Sequence, residues 1–368
     1  TDGDADIFPG EYVGIAISSD NGLTWRKPEL NLFPGSKAPA NAVVFGRPET
    51  HNFCPFLDKN PACPPRERFK AVAGINDSGG LHAFYSSDGF HWTEYGSEPV
   101  VGMDKEMIFS FDSQNVAFYS VTEQKYLLYY RVYKTNLNEQ LRAVARAESD
   151  DFIHWRNHTL IDMNRSGEHL YVSLLAPYVR APQILVGTPT RFFEERGNAT
   201  DITFVFSPDG YKMLRPFPEA WIRPGMEPER WCNRANYLAW NIIYSPEDAQ
   251  LWLFHCHAKI RYTLRADGFT SLYAGAKTEE WRSWPLEYTG EAISFNVSTS
   301  TGGGFAAALL DESGNEIPGF TFEDCELFYG DKIDVEMNWK GGKVPLRKGQ
   351  KFFIHCRFSE ADFYSFTH

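Results

Sequence analysis

Two short stretches share one chemical order. Glu49-Thr50-His51-Asn52-Phe53 runs carboxylate, small hydroxyl, hydrogen-bonding side chain, Asn, apolar residue, and Asp112-Ser113-Gln114-Asn115-Val116 repeats it. Each leads into an apolar run, Phe53-Cys54-Pro55-Phe56-Leu57 in one case and Val116-Ala117-Phe118-Tyr119 in the other. Read as strands, their period of two puts 49, 51 and 53, or 112, 114 and 116, on one side. Two acids at matched heads of repeated strands suit hydrolysis of a glycosidic bond. That reaction needs a protonated carboxyl near the leaving oxygen and an ionised one as base or nucleophile. Like charge and burial would separate their pKa values.

Two further strand heads read as Tyr178-Val179-Arg180-Ala181-Pro182-Gln183 and Asn233-Arg234-Ala235-Asn236-Tyr237. If four such heads converge on one mouth of a central channel, Glu49, Asp112, Arg180 and Arg234 ring it. A loop carboxylate beside an imidazole, Glu168-His169, precedes the third head, and Glu227 in Pro224-Gly225-Met226-Glu227-Pro228 is an alternative acid. The expected catalytic set is Glu49, Asp112 and Glu168. The expected substrate-binding set is His51, Asn52, Gln114, His169, Arg180, Glu227 and Arg234. Bland readings stand beside these: an Asp at a strand start is commonly a turn-former, and an exposed loop Glu is ordinary. Asp58 ends its strand on the opposite face and falls outside the set. His255, Cys256 and His257 invite a metal, but alternation points neighbours to opposite faces, so no metal and no cofactor is expected.

The elements that would position these residues come from a repeat. Ser18-Ser19-Asp20-Asn21-Gly22-Leu23-Thr24-Trp25 returns as Ser86-Ser87-Asp88-Gly89-Phe90-His91-Trp92 and as Glu148-Ser149-Asp150-Asp151-Phe152-Ile153-His154-Trp155. Weaker copies are Ser207-Pro208-Asp209-Gly210-Tyr211 and Arg265-Ala266-Asp267-Gly268-Phe269. The aspartates at 20, 88, 150, 209 and 267 lie 68, 62, 59 and 58 residues apart. Asp accepts backbone N–H bonds in such a turn, and the aromatic packs between sheets. Five turns at this period imply five four-stranded blades over residues 1–268. The first turn sits at residue 20, so roughly 40 residues of the first blade are expected upstream of this chain. From 269 to 368 the repeat stops, and strands such as 293–297, 305–310, 335–339 and 351–356 imply a β-sandwich. Gly302-Gly303-Gly304 reads as a loop without the strand–helix context of a phosphate site. The expected class is all-β: a five-bladed β-propeller followed by a C-terminal β-sandwich.

Composition agrees with that class. The 29 Gly and 22 Pro are scattered through 368 residues, as short strands and tight turns require, and aromatics make up 15%. A net charge of −12 argues against a nucleic-acid footprint or an anionic membrane surface, and no apolar run reaches 18 residues. The six cysteines match no zinc template; Cys54 with Cys63 and Cys325 with Cys356 could pair, or all could be buried thiols. Five Asn-x-Ser/Thr sequons, at Asn76, Asn157, Asn164, Asn198 and Asn296, favour a secreted or periplasmic protein.

With these residues in view, the chain resembles the five-bladed propeller glycosidases, the group holding glycoside hydrolase families 32, 43 and 117. It looks closest to bacterial family-32-like proteins with an appended sandwich. The stretches that carry the resemblance are Trp25-Arg26-Lys27-Pro28-Glu29-Leu30, Asn52-Phe53-Cys54-Pro55-Phe56-Leu57-Asp58, Phe111-Asp112-Ser113-Gln114-Asn115, Arg180-Ala181-Pro182, Asp267-Gly268-Phe269 and Ala361-Asp362-Phe363-Tyr364-Ser365. The resemblance implies a glycoside hydrolase acting on an oligo- or polysaccharide, with the sandwich as accessory module. The Asp-Pro motifs that mark the three acids in families 32 and 43 are absent, so their roles do not carry over residue by residue. A non-catalytic carbohydrate-binding propeller is the competing class. A sialidase-like enzyme is a third, against which five turns argue, since sialidases usually have six blades and need three arginines around a carboxylate.

Overall fold

The computed structural model describes residues 10–103, 110–136, 139–256 and 260–368. Strand accounts for 45% and helix for 5%, the latter in short 3-10 turns, so the protein is all-β. No described helix is long and apolar enough to cross a membrane. The chain divides into two compact units: one reaches Ile243 and includes Leu253–Tyr262, the other joins Tyr244–Trp252 to Thr263–His368.

The first unit is a series of antiparallel sheet modules. β1 (Tyr12–Gly14) pairs with β2 (Ala42–Phe45), and Ile17 bridges Arg26. The part of the first blade expected ahead of Tyr12 falls largely outside the described residues. The second module orders β3 (Cys54–Leu57), β4 (Phe69–Ala73), β5 (Gly80–Ser86) and β6 (Thr93–Glu94), with β7 (Val101–Gly102) also on β5. The third orders β8 (Val116–Ser120), β9 (Lys125–Asn136), β10 (Glu139–Ser149) and β11 (Arg156–Ile161). The fourth contains β12 (His169–Val172), β13 (Ala176–Tyr178), β14 (Ala181–Gly187), β15 (Thr190–Phe193), β16 (Ala199–Ile202) and β17 (Val205–Ser207), paired as β13-β14-β17 and β12-β15-β16. A last small sheet orders β18 (Ile243–Ser245), β19 (Gln250–Phe254) and β20 (Arg261–Arg265). Strand β3 alternates buried and exposed, whereas Tyr126–Tyr130 of β9 is buried throughout, as a strand packed on both faces must be.

The repeated turn is a hairpin device joining the third strand of a module to its fourth. Ser86 Oγ accepts the Asp88 and Gly89 amides, while Asp88 Oδ1 accepts those of Phe90 and His91. The Trp92 indole then donates to Gly89 O at 3.1 Å, as Trp25 does to Gly22 O. In the third copy the acceptor is Asp151, not Asp150: its Oδ1 takes the Ile153 and His154 amides, and Asp150 pairs with Arg156 at 2.7 Å. The reason is register. The motif needs Ser two residues before the acid, and Ser149 fixes that place as 151.

The second unit rests on two 17-residue strands, β24 (Ser294–Leu310) and β26 (Lys351–Thr367). β26 also pairs with β21 (Leu272–Ala274), β22 (Glu279–Arg282) and β23 (Leu286–Glu287), and β24 with β25 (Asp331–Glu336). Alternate residues Phe295, Val297, Phe305, Ala307, Leu309, Phe352, Ile354, Cys356 and Phe358 form one aromatic-rich core. The Gly302-Gly303-Gly304 run lies inside β24, where register slips between Thr299 and Gly304. A Cβ on Gly303 would sit 2.5 Å from Ser359 O, so the crossing strand excludes any side chain there. All six cysteines are free thiols, and neither suggested pair is bonded. Two sequons are structural: Asn296 is 1% exposed and donates to Ala266 O, and Asn164 donates to the carbonyls of Arg142 and Glu168.

Candidate functional site

The heads of the inner strands carry a recurring backbone oddity. Asn52 before β3, Phe111 before β8, Leu174 before β13 and Arg234 in the fourth head all have positive φ, at 59°, 70°, 50° and 51°. A left-handed Phe, Leu or Arg costs on the order of 1–3 kcal/mol and persists where the surroundings over-determine it, commonly at functional sites. Polar anchors hold these turns. Buried Asn115 donates to the carbonyls of Phe111 and Ser113 and accepts the Arg131 amide, and buried Asn236 does comparable work with Thr200 and Arg230.

The turns place Asp112 at the centre of a charged cluster. Its side chain is 53% exposed; Oδ1 lies 3.3 Å from His51 Nε2, and Oδ2 lies 3.2 Å from Arg131 Nη2. The other ring nitrogen of His51 meets Glu11 Oε1 at 3.0 Å, so one imidazole bridges two carboxylates. The hydrogen bond to His51, aided by the Arg131 charge, holds the Asp112 carboxyl down to about 2. The same bond, with Glu11 behind it, raises His51 above the ordinary imidazole value despite partial burial. Tyr171 of β12 stands alongside, with the Arg131 guanidinium 5.0 Å and that of Arg142 5.5 Å from its ring centre. Exposed Arg234 reaches the Tyr171 hydroxyl at 3.4 Å, and Tyr237 packs edge-on to Tyr171. Ser113 Oγ donates to Tyr171 O at 2.6 Å, locking the Asp112 turn to this wall.

The sign of the pH response follows. Asp112, with its depressed pKa, contributes stability above the unfolded carboxylate value that is lost as pH falls toward about 2. His51, with its raised pKa, contributes fully below about 6.5, and that contribution is lost as pH rises through its folded value. In an NMR titration the His51 ring is expected to titrate above 6.5, and Asp112→Asn to lower its midpoint. A midpoint unmoved by that substitution would break the assigned contact.

No protein-family model matches the chain, and no curated protein sequence does. Among solved structures it is similar to a β-1,2-mannobiose phosphorylase from Listeria innocua, at 12% identity and TM-score 0.48, covering 68% of this chain and 65% of that one. It is also similar to a structure described as a glycoside hydrolase, at 12% identity and TM-score 0.44, over 67% of this chain and 75% of the other. The α-L-arabinanase of Penicillium chrysogenum complexed with arabinobiose gives 13% identity and TM-score 0.35, with 67% and 70% covered.

The other expected residues lie in different surroundings. Residues 48–50 form a 3-10 turn, so strand alternation does not apply and Glu49 does not share the side of His51. Buried Glu49 faces Arg47 Nε at 2.5 Å and His82 Nε2 at 3.9 Å, in a network closed by Glu94. Asn52 is turned by its positive φ, and its Nδ2 is buried with no hydrogen bond among the described residues. Gln114 reaches across to Cys54 Sγ at 3.6 Å. Arg180 was expected at a strand head, but β13 begins at Ala176, which puts it in the β13–β14 turn at the far end of that strand. Val179 and Pro182 beside it line a cavity of about 660 Å³ walled by Phe56, Phe118, Tyr178 and Trp240, past the midpoints of the inner strands. Glu227 is exposed, and its backbone carbonyl caps a short turn. His169 Nδ1 faces the Arg142 amide at 3.2 Å. His255 lies on the bridge to Leu238, Cys256 is exposed, and His257 lies outside the described residues.

Glu168 is gripped from two sides. Arg215 donates Nη1 to Oε2 at 2.5 Å and Nη2 to Oε1 at 3.1 Å, and the Arg165 amide also binds Oε2. Both side chains are nearly buried. Glu168→Gln is therefore expected to lower unfolding stability by about 2 kcal/mol, the scale of hydrogen bonds to charged groups, with turnover per folded molecule unchanged. Chemical denaturation beside an activity assay checks both halves.

Glu11, Arg131, Arg142, Tyr171 and Tyr237 belong to the cluster and were not singled out by sequence. One signal was available: Tyr126-Leu127-Leu128-Tyr129-Tyr130-Arg131 is an apolar strand ending in a charge. A buried Arg is rare unless something pairs with it.

Proposed function

We propose that this protein is a glycoside hydrolase acting on an oligo- or polysaccharide, and that Asp112 is its ionised catalytic carboxylate. The observation that carries the reading is the Glu11–His51–Asp112 bridge at the mouth formed by the inner strand heads, flanked by Tyr171 and Tyr237. A carboxylate held ionised by a cation and open to solvent suits a base that takes the proton of an attacking water. His51 carries a proton toward neutral pH and can deliver it to the departing sugar oxygen, and the proton that Asp112 takes from water passes back to the ring across their contact. Water adds at the anomeric carbon as the carbon–oxygen bond breaks. Export from the cytoplasm is part of this proposal; fractionation of the native host tests it.

A panel of oligosaccharides and aryl glycosides, followed by NMR of the first-formed anomer, tests the enzyme reading. Cleavage of at least one member is expected. Binding without cleavage of any member would instead support the non-catalytic alternative.

A further inference from the structure

We propose that the mouth around Asp112 recognises an acidic sugar, binding the carboxylate of a hexuronate ring through Arg131 and Arg234 while the ring lies against Tyr171. The inference rests on the carbohydrate reading above and adds the substrate class.

The first observation is an unmet group. Arg131 is 3% exposed, and Nη2 meets Asp112, but Nε and Nη1 make no hydrogen bond to any described residue. A buried guanidinium has five N–H donors in a fixed fork, and leaving the three on Nε and Nη1 unmade costs free energy. Its Nη2 partner is the half-exposed Asp112, so the guanidinium borders the mouth. The second observation is independent. Arg234 is exposed, strained at φ 51°, and bonded to two neutral partners, Tyr171 Oη at 3.4 Å and Asn233 Oδ1 at 3.0 Å. No ion pair joins it to a described carboxylate.

Charge decides between ligand types. Arg131, Arg234 and the proton-bearing His51 face Asp112 and Glu11, whereas Arg142 is already paired with Glu194 at 2.6 Å. The mouth therefore carries a local cationic excess within a chain of net charge −12, whose overall field repels anions. A neutral hydroxyl can accept one N–H bond but leaves that excess uncompensated. A planar carboxylate accepts two from a guanidinium fork and balances the charge.

The test measures binding of methyl glucuronide and methyl galacturonide to the full chain. Controls are the matching neutral methyl glycosides and methyl glucoside 6-sulfate, by calorimetry at low salt. A uronide is expected to bind at least tenfold tighter than its neutral partner. Arg234→Ala, at an exposed position, is expected to remove most of that preference, with circular dichroism confirming the fold. Equal or weaker uronide binding, no measurable uronide binding, or a preference unchanged in Arg234→Ala overturns the proposal. Tighter binding of the sulfate than of both uronides overturns the carboxylate assignment in favour of a sulfate ester. Binding is read without turnover, so the two readings fail separately. Uronide preference without hydrolysis of any glycan sinks the hydrolase and leaves this inference standing. Hydrolysis of neutral glycans without uronide preference does the reverse.

Discussion

Asp112→Asn is expected to lower turnover at least a hundredfold, about 2.7 kcal/mol of barrier, while the protein stays folded. The two halves have separate reasons. Asparagine keeps the shape of the side chain and an oxygen for Arg131 Nη2, and the position is half exposed, so little packing is lost. What disappears is the negative charge that accepts a proton in the reaction and sustains the His51 imidazolium. If His51 must carry its proton, activity falls as pH rises through its raised pKa, and in the variant that alkaline limb moves to lower pH. The measurement is kcat against pH for wild type and variant on whichever glycan the wild type cleaves, with circular dichroism as control. Unchanged turnover would remove Asp112 from the chemistry.

Asp58→Ala is expected to destabilise the first unit by about 3–5 kcal/mol, the cost of stranding a buried charge. Lys70 and Asp58 have side chains 2% and 0% exposed, with Nζ 2.7 Å from Oδ2. The pair also ties two modules together. Tyr126 of β9 donates its hydroxyl to the same Oδ2 at 2.7 Å, and the Lys70 ammonium lies 5.6 Å from the Tyr126 ring centre and 6.0 Å from that of Phe152. Cys63 Sγ and Glu67 O are the other partners of Nζ. Removing the carboxylate leaves an ammonium facing a thiol, a carbonyl and the more distant Glu67 carboxylate at 3.7 Å. Removing both charges, as in Asp58→Asn with Lys70→Met, is expected to recover much of the loss, because the attraction and the desolvation it offsets vanish together. Denaturant midpoints of the two variants decide it; a loss under 1 kcal/mol in Asp58→Ala would contradict the account.

Asp58 also shows how sequence and structure divide the information. Alternation put it off the face of His51 and Phe53, but alternation says nothing of what occupies the other face. Its partners Lys70 and Tyr126 are 12 and 68 residues away. The all-β class was legible because it is written in local terms. Turn chemistry at Ser86, Asp88 and Trp92 recurs near a 60-residue period, and apolar alternation between turns marks the strands. The third turn was misread by one residue because two aspartates stand together, and the choice depends on which one the Ser149 hydroxyl reaches.

The sequence by itself determined the repeat, the class, and Asp112 and His51 as residues worth watching. Only the tertiary structure decided which groups meet. Glu49 and His51 are two residues apart, yet a 3-10 turn, whose rotation per residue differs from a strand's, sends the first to Arg47 and the second to Asp112. Arg180 moved to the far end of its strand because β13 starts at Ala176, four residues before Arg180 and ahead of where the pattern Tyr178-Val179-Arg180 suggested. Glu11, Arg131 and Tyr171 join Asp112 from three modules at once. No period or local propensity encodes that meeting; it follows from packing sheets side by side, where each contact spans a distance in sequence that short-range physics does not cross.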